Sequence, residues 1–406
     1  MSNTKITIRR RKEERGQTIV LVAVALVSLL GMAALAIDVT TLYVARGEMQ
    51  RAADAAALAG AKAFVDSGIT TDTGNATRQA LAQTMATSVI NSILAQNNVS
   101  GAPPVLAAAP TFDFTRPGNP QISVTLQRTN LPTFFARIWG TKLVTVAASA
   151  IAEAYNPSNA PANYPPIAPK CIKPLLVANQ DPKAAGASPF VNPTTGAPVA
   201  AGLIGEAVTI KPCPPGACPP IVGDLQFRPA AVTASATNLC PGTCSPPAAA
   251  YESSVECCDS ATTYACGNPV PNPLLIDPAL VEPQLSTETN NGLQCLSNNP
   301  AADTLDPTDL TAGTGPAKIT AGSGPQLGNL VTTSRSIATF PIIDPVGPGP
   351  TRVVGFLQVF VDPVTPAAPT STPAHILNVV GCGNSPGPPP AVLGGGFSPI
   401  PVRLIH

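Results

Sequence analysis

GQTIVLVAVALVSLLGMAALAIDVTTLYVARGEMQRAADAAALAGAKAF, residues 16–64, is the stretch on which the reading of this chain turns. Its first part, Thr18 to Ile37, is twenty residues without a charge or a proline. As a helix that run is about 30 Å long, the hydrocarbon thickness of a bilayer. No break signal follows. The pattern becomes polar and alanine-rich while Val39, Leu42, Val44, Met49, Ala53, Ala56, Ala57 and Leu58 keep roughly helical spacing. A single rod is therefore expected, with everything after residue 66 hanging from it.

The flanks give the rod a direction. Lys5, Arg9, Arg10, Arg11, Lys12 and Arg15 precede the run against only Glu13 and Glu14, and a basic cluster on one side marks the cytoplasmic end. The same residues favour anionic headgroups. Residues 1–17 read as a cytosolic tail and 18–37 as an uncleaved transmembrane helix, with the lipid bilayer as its partner. Asp38 is the first charge after the run; it is expected at the outer interface, reaching water. Arg9, Arg10, Arg11, Lys12, Arg15 and Asp38 are thus the topology determinants. Two processed forms compete with the anchor. Ala34-Leu35-Ala36 has the A-x-A form of a signal cleavage site, and the basic leader ending at Gly16 suits a prepilin-type cut.

From Ala52 to Ala63 the rod is mostly alanine, a strong helix former that buries little area but permits close helix–helix approach. Its partner is expected to be another copy, another protein, or a second helix over Thr77–Ala95. Glu48, Arg51 and Asp54 are spaced to pair on the surface. Beyond Pro103-Pro104, Thr111–Phe114 and Gln121–Gln127 alternate like strands, Leu131–Trp139 reads as a short helix, and Lys142–Ala154 as another strand. Phe134, Phe135 and Trp139 on that short helix read as a core plug. The order of elements describes a small α+β unit within 38–155.

Arg15-Gly16-Gln17, the apolar run, Leu35-Ala36-Ile37-Asp38-Val39, Leu42-Tyr43 and the block Gln50-Arg51-Ala52-Ala53-Asp54-Ala55-Ala56-Ala57-Leu58-Ala59-Gly60-Ala61 together resemble the N-terminal segment of TadE/TadG-like proteins of Flp-type pilus assembly (tight adherence) systems. The resemblance implies a bacterial inner-membrane protein, single pass, N-terminus cytoplasmic and bulk extracytoplasmic. It implies a non-enzymatic role in pilus assembly or adherence, with pilus-assembly proteins or other copies engaged through the Ala-rich helix 48–64. A leader-processed, pseudopilin-like subunit is the alternative. Pilin-type substrates usually carry Glu five residues after the cut, where this chain has Leu21.

Composition changes near residue 156. All ten cysteines and 42 of the 48 prolines lie beyond it, and the net charge moves from +5 over residues 1–155 to −5 over 156–406. Residues 156–170 read as a proline-stiffened linker. Proline and glycine make up 65 of residues 156–406, so long helices are not expected there. Strands are expected at Pro174–Ala178, Ala207–Ile210, Ser336–Ile343, Arg352–Val361 and His375–Val380, with disorder near Ala230–Ala250, Asn298–Pro325 and Ser385–Gly396. The reading for 171–406 is loop-rich β structure held by disulfides among Cys171, Cys213, Cys218, Cys240, Cys244, Cys257, Cys258, Cys266, Cys295 and Cys382, pairing open. Cys213-x4-Cys218 and Cys240-x3-Cys244 loosely fit zinc spacing, but proline crowding and an oxidising compartment favour disulfides.

No chemistry surfaces from the motifs. His375 and His406 are the only histidines, and no G-x-S-x-G, H-E-x-x-H or phosphate-cradling loop is present. Asp303, Asp306, Asp309 and Asp344 lack calcium-loop spacing, and Asp259-Ser260-Ala261-Thr262-Thr263 misses the D-x-S-x-S adhesion motif of larger TadG-like proteins at its third residue. Neither a catalytic residue nor a cofactor or metal site is expected. With no basic patch interleaved with aromatics, nucleic acid is not an expected partner.

Overall fold

The computed structural model describes residues 13–115, 119–133, 135–140, 143–156, 167–183, 188–199, 202–216, 218–232, 249–258, 264, 276–298, 301–344, 351–363, 371–383, 392–393 and 398–405. Arg9 to Lys12, the greater part of the 156–170 linker, Phe134, Cys240, Cys244, Cys266, the Asp259–Thr263 segment and most of two stretches expected to be disordered, 230–250 and 385–396, lie outside them. The chain is an α+β protein with one long apolar N-terminal helix followed by a mostly stranded region. Cα proximity separates two units: residues up to 56 with 91–110 and 123–150, and residues 57–90, 111–122 and 151 onward.

Helix α1, Glu13–Asp66, runs 54 residues without interruption, about 80 Å at 1.5 Å per residue. Three of its hydroxyls are satisfied within the helix: Ser28, Thr40 and Thr41 donate to the carbonyls of Val24, Ala36 and Ile37 at 2.7–2.9 Å. It stops at Ser67-Gly68. Gly68 takes φ of +73°, and a Cβ there would fall 2.6 Å from Ile204 Cδ1, so both backbone and space demand glycine. Helix α2, Ala76–Gln96, opens on an Asn75 cap, whose side-chain oxygen accepts the Arg78 amide at 3.2 Å.

In the first unit, strands β1 (Val105–Leu106), β3 and β4 lie side by side, where β3 is Gln121–Pro132 and β4 is Leu143–Ala154; β2 is Thr111–Asp113. Val124 and Leu126 of β3, with Val146 and Ala150 of β4, are buried at two- and four-residue spacing, while Thr125 and Ser149 hydrogen-bond each other on the wet face. The sequence thus wrote one buried and one wet side into each strand. Leu131–Trp139, expected as a helix, instead finishes β3 and then forms only a 3-10 turn, Ala136–Trp139, closed by Gly140 at φ +99°.

The second unit holds β5 (Ile167–Ala168), β6 (Leu175–Ala178), β7 (Ala207–Pro212), β8 (Asp224–Pro229), α3 (Ala250–Glu256), α4 (Gln284–Asn298), β9 (Thr304–Asp306), α5 (Thr308–Ala312), β10 (Lys318–Thr320), β11 (Leu330–Val331), β12 (Ile337–Asp344), β13 (Arg352–Val361), β14 (Thr372–Gly381), β15 (Val392–Leu393) and β16 (Val402–Ile405). Six of these close into a barrel in the order β12-β13-β14-β7-β8-β6. Four neighbouring pairs are antiparallel, and β7–β8 and β6–β12 are parallel. Closure leaves no free edge. One cluster includes Leu175, Phe227, Phe340, Leu357 and Ile376, with Tyr251, Val255, Leu285 and Leu293 of α3 and α4 packed into it. Each such fully buried large side chain contributes about 1.5–3 kcal/mol.

Two expectations for this half are corrected. Long helices were not expected, yet α4 spans 15 residues, because Leu285, Thr289, Leu293 and Leu296 make a buried stripe at helical spacing. Gly292 lets it close on α3: a Cβ there would sit 2.7 Å from Val255 Cβ. Residues 298–325 were expected to be disordered, yet they supply β9, α5 and β10. Leu310 and Ile319 pack on Phe360 and Leu377, and Phe360 faces away from its cluster-forming neighbours Val359 and Val361. That apolar outer face orders the segment.

Buried polar groups fix the second unit's joints. Arg78 donates through Nη1 to Ser67 O (3.0 Å) and through Nη2 to Leu310 O (3.1 Å), tying the end of α1 to α5. Burial pulls its guanidinium below the usual arginine range, against the opposing pull of Asp72. Strand β16 pairs with residues 151–154 of β4, and Arg403 binds Glu153 Oε1 at 2.6 Å with its guanidinium 4.3 Å from the Tyr155 ring centre. Disulfides join Cys171 to Cys258 and Cys213 to Cys218. Cys257, Cys295 and Cys382 are disulfide-bonded as well, so the vicinal Cys257 and Cys258 serve different partners.

Candidate functional site

The feature that the fold leaves unspent is the first half of α1. Every large apolar side chain from Ile19 to Ile37 is more than half exposed, on all sides of the helix. A helix apolar all round has no place in water. Among the described residues, α1 alone is long and apolar enough to cross a membrane, by length and composition.

Where the run ends, the structure corrects the reading of Asp38. The residue does not reach water; it is 4% exposed. Its Oδ2 accepts the backbone N–H groups of Phe135 (2.9 Å) and Ala136 (2.6 Å), which open the 3-10 turn Ala136–Trp139. A carboxylate at the start of a helical turn satisfies donors that have no partner within the turn and meets the positive end of its dipole. The partners stand 97 and 98 residues away in sequence, so nothing local announced them. Next to this cap, Val39, Leu42, Tyr43 and Arg46 of α1 and Val144 to Ala147 of β4 line a shallow groove.

Farther along, the alanine-rich helix 48–64 meets the second helix, one of the partners its sequence left open. Met49, Ala52, Ala53, Ala56, Ala57, Ala61, Ala63 and Phe64 are all buried to 2% exposure or less by the chain itself. Within the second unit, a Cβ on Gly60 would come 2.7 Å from Ile122 Cδ1 and 3.3 Å from Ile90 Cδ1, so this stretch meets α2 and β3. Glu48 and Asp54 have other partners than Arg51: Glu48 Oε2 accepts the Ser100 amide at 2.8 Å, and Asp54 Oδ1 accepts Gln50 Nε2 at 2.8 Å.

The remaining polar residues are taken up by local structure. Cys213 and Cys218 are bonded to each other, which removes that pair as zinc ligands. Asp303 accepts from Gly322 N and Ser334 Oγ, Asp306 from Thr308 N, and Asp309 pairs with Lys318. His375 Nδ1 lies 3.1 Å from Asp362 Oδ2, off the line of a good hydrogen bond, at the paired ends of β14 and β13. Among the described residues, no cluster of three or more His, Cys, Asp or Glu could hold a metal.

Burial raises the carboxyl groups of Asp66, Glu206, Glu252, Glu256 and Asp344 above their ordinary range, against partial compensation by Lys62, Lys183, Lys173 and Arg352 at four of them and by a hydrogen bond from Asn291 at Glu252. A carboxyl group raised on folding binds its proton more tightly in the native state, so stability falls as pH rises through the folded value. These groups therefore favour the fold most at and below the ordinary values of 3.8 for aspartate and 4.5 for glutamate, and withdraw that support above them. Thermal unfolding of the full chain is expected at higher temperature in mildly acidic buffer than at neutral pH; a midpoint that drops steadily on acidification from neutrality would contradict this.

Residues 16–63 match the family model described as putative Flp pilus-assembly TadE/G-like. The match covers the exposed apolar run, Asp38 and nearly all of the alanine-rich continuation. The chain therefore carries a TadE/G-like segment at its N-terminal end. No curated protein and no solved structure matches it.

Proposed function

We propose that the protein is a membrane-anchored, non-enzymatic component or relative of Flp-type pilus-assembly and adherence machinery. The observation that carries this reading is the charge-free run Thr18–Ile37, exposed on every side and lying inside the TadE/G-like segment. The basic cluster before it orients the N-terminus to the cytoplasm of a bacterial inner membrane, and the disulfide-bonded region after it suits an oxidising space outside. The barrel and its α3–α4 cover are the folded body that the anchor carries. Alkaline extraction of membranes, followed by thiol alkylation of intact cells before and after reduction, tests this. The protein should stay in the pellet and bind alkylating agent only after reduction. An intact-mass measurement checks the anchor separately: a mature chain starting at Gln17 would replace it by the leader-processed, pseudopilin-like subunit.

A further inference from the structure

The end of the apolar run holds more than a helix. Asp38, one residue past the last charge-free position, fixes the 3-10 turn Ala136–Trp139 at its own level on α1 through two backbone amides. Whatever depth the membrane imposes on residue 38, the turn shares it. The side chains around that level have the composition of a bilayer interface. Tyr43 is 76% exposed and Leu143 is 56% exposed, Val39 is exposed beside them, and Arg46 and Arg137 are exposed cations. Tyr43 lies five residues beyond Asp38, about 7–8 Å along the helix axis, which is the depth of one headgroup layer. Aromatic rings with a polar tip settle at that layer, aliphatic side chains reach just below it, and cations meet anionic headgroups there.

We propose that this turn, with Val39, Tyr43, Arg46, Arg137 and Leu143, is a second membrane contact that seats the first unit on the anionic headgroup layer where α1 emerges. The occupant is the bilayer surface, because the patch continues the apolar run without a gap and pairs aliphatic and aromatic surface with positive charge. Asp38 is then a positioning residue: its carboxylate accepts hydrogen bonds from the amides of the turn, so a charge at the lipid boundary holds a loop down onto the membrane. The proposal rests on the anchor reading.

Trp139 is the chain's single tryptophan, so a Trp139→Phe, Leu143→Trp background places the emission at position 143, whose side chain is exposed in the patch. The experiment reconstitutes the full chain in vesicles of phosphatidylcholine and phosphatidylglycerol with bromine placed either just below the headgroups or near the chain ends. The expected result is a loss of roughly half of the emission from position 143 with shallow bromine and a clearly smaller loss with deep bromine, as an interfacial position requires. The Asp38→Ala variant should lose most of the shallow quenching while still floating with the vesicles. Should that variant fail to fold, the Arg46→Glu, Arg137→Glu pair replaces it, with quenching expected to fall in anionic vesicles at low salt. Vesicle-bound protein whose emission from position 143 is not quenched overturns the proposal and would mean that protein, not lipid, covers the patch. Failure to float at all is a different result, and it removes the anchor itself.

Discussion

Replacing Leu26 and Leu30 together by lysine is expected to move the protein from the alkali-resistant membrane pellet to the soluble or aggregated fraction. Both side chains are exposed in the middle of the charge-free run, at 56% and 61%. A lysine near the centre of a membrane helix costs about 2.5–3.5 kcal/mol on the insertion scale, so two cost roughly 5–7 kcal/mol, several orders of magnitude in partition. Lysine is a good helix former, so α1 itself should persist. The pair Leu26→Ala, Leu30→Ala controls for lost volume and should stay in the pellet. A lysine variant that remained in the membrane fraction in normal amount would mean that something other than this run holds the protein there.

The second large effect concerns the two disulfides whose ends are both defined. Cys171–Cys258 closes a sequence separation of 87 residues and Cys213–Cys218 one of 5. By loop-closure entropy, removing the first costs roughly 4–5 kcal/mol and the second roughly 2 kcal/mol. The long bridge also sets Cys257 beside Lys173, whose buried ammonium donates to the Cys257 carbonyl at 2.6 Å. The neighbouring Tyr251 and Val255 belong to the barrel cluster, so loosening this end of α3 loosens the core. Urea unfolding of the full chain in detergent should show Cys171→Ser, Cys258→Ser with a far lower midpoint than Cys213→Ser, Cys218→Ser, and with the larger rise in slope, because releasing the longer loop expands the unfolded chain. Equal shifts would rule out loop length as the origin of the difference.

The long apolar helix was legible because its signal is local: twenty uncharged residues need no partner to be recognised, and the alternation in β3 and β4 is equally self-contained. Five of the six barrel strands were legible for the same reason, since runs such as Arg352–Val361 are rich in β-branched and aromatic residues. Strand β8, Asp224–Pro229, escaped because three of its six residues are charged or amide-bearing and only barrel closure buries it. Helix α4 escaped because the proline content of the whole region hid a stripe that Leu285, Leu293 and Leu296 display at the right spacing. The role of Asp38 was beyond reach. A carboxylate after an apolar run reads as a boundary, and only the return of the chain some hundred residues later turns it into a cap. Barrel order was likewise invisible, because β7 must leave β6 to pair with β14.

The unbroken course of α1 has a mechanical corollary. No joint separates the charge-free run from the part of the helix that carries the first unit, so twisting or tilting one end is felt at the other as it would be in a key turned in a lock. One alanine added after Ile37 would rotate Asp38 and everything fixed to it by about 100° about the helix axis and raise it about 1.5 Å. The cap and the exposed side chains beside it would then face a different direction relative to the charge-free run. The number of residues between Thr18 and Asp38 is in this sense an angular setting as well as a thickness.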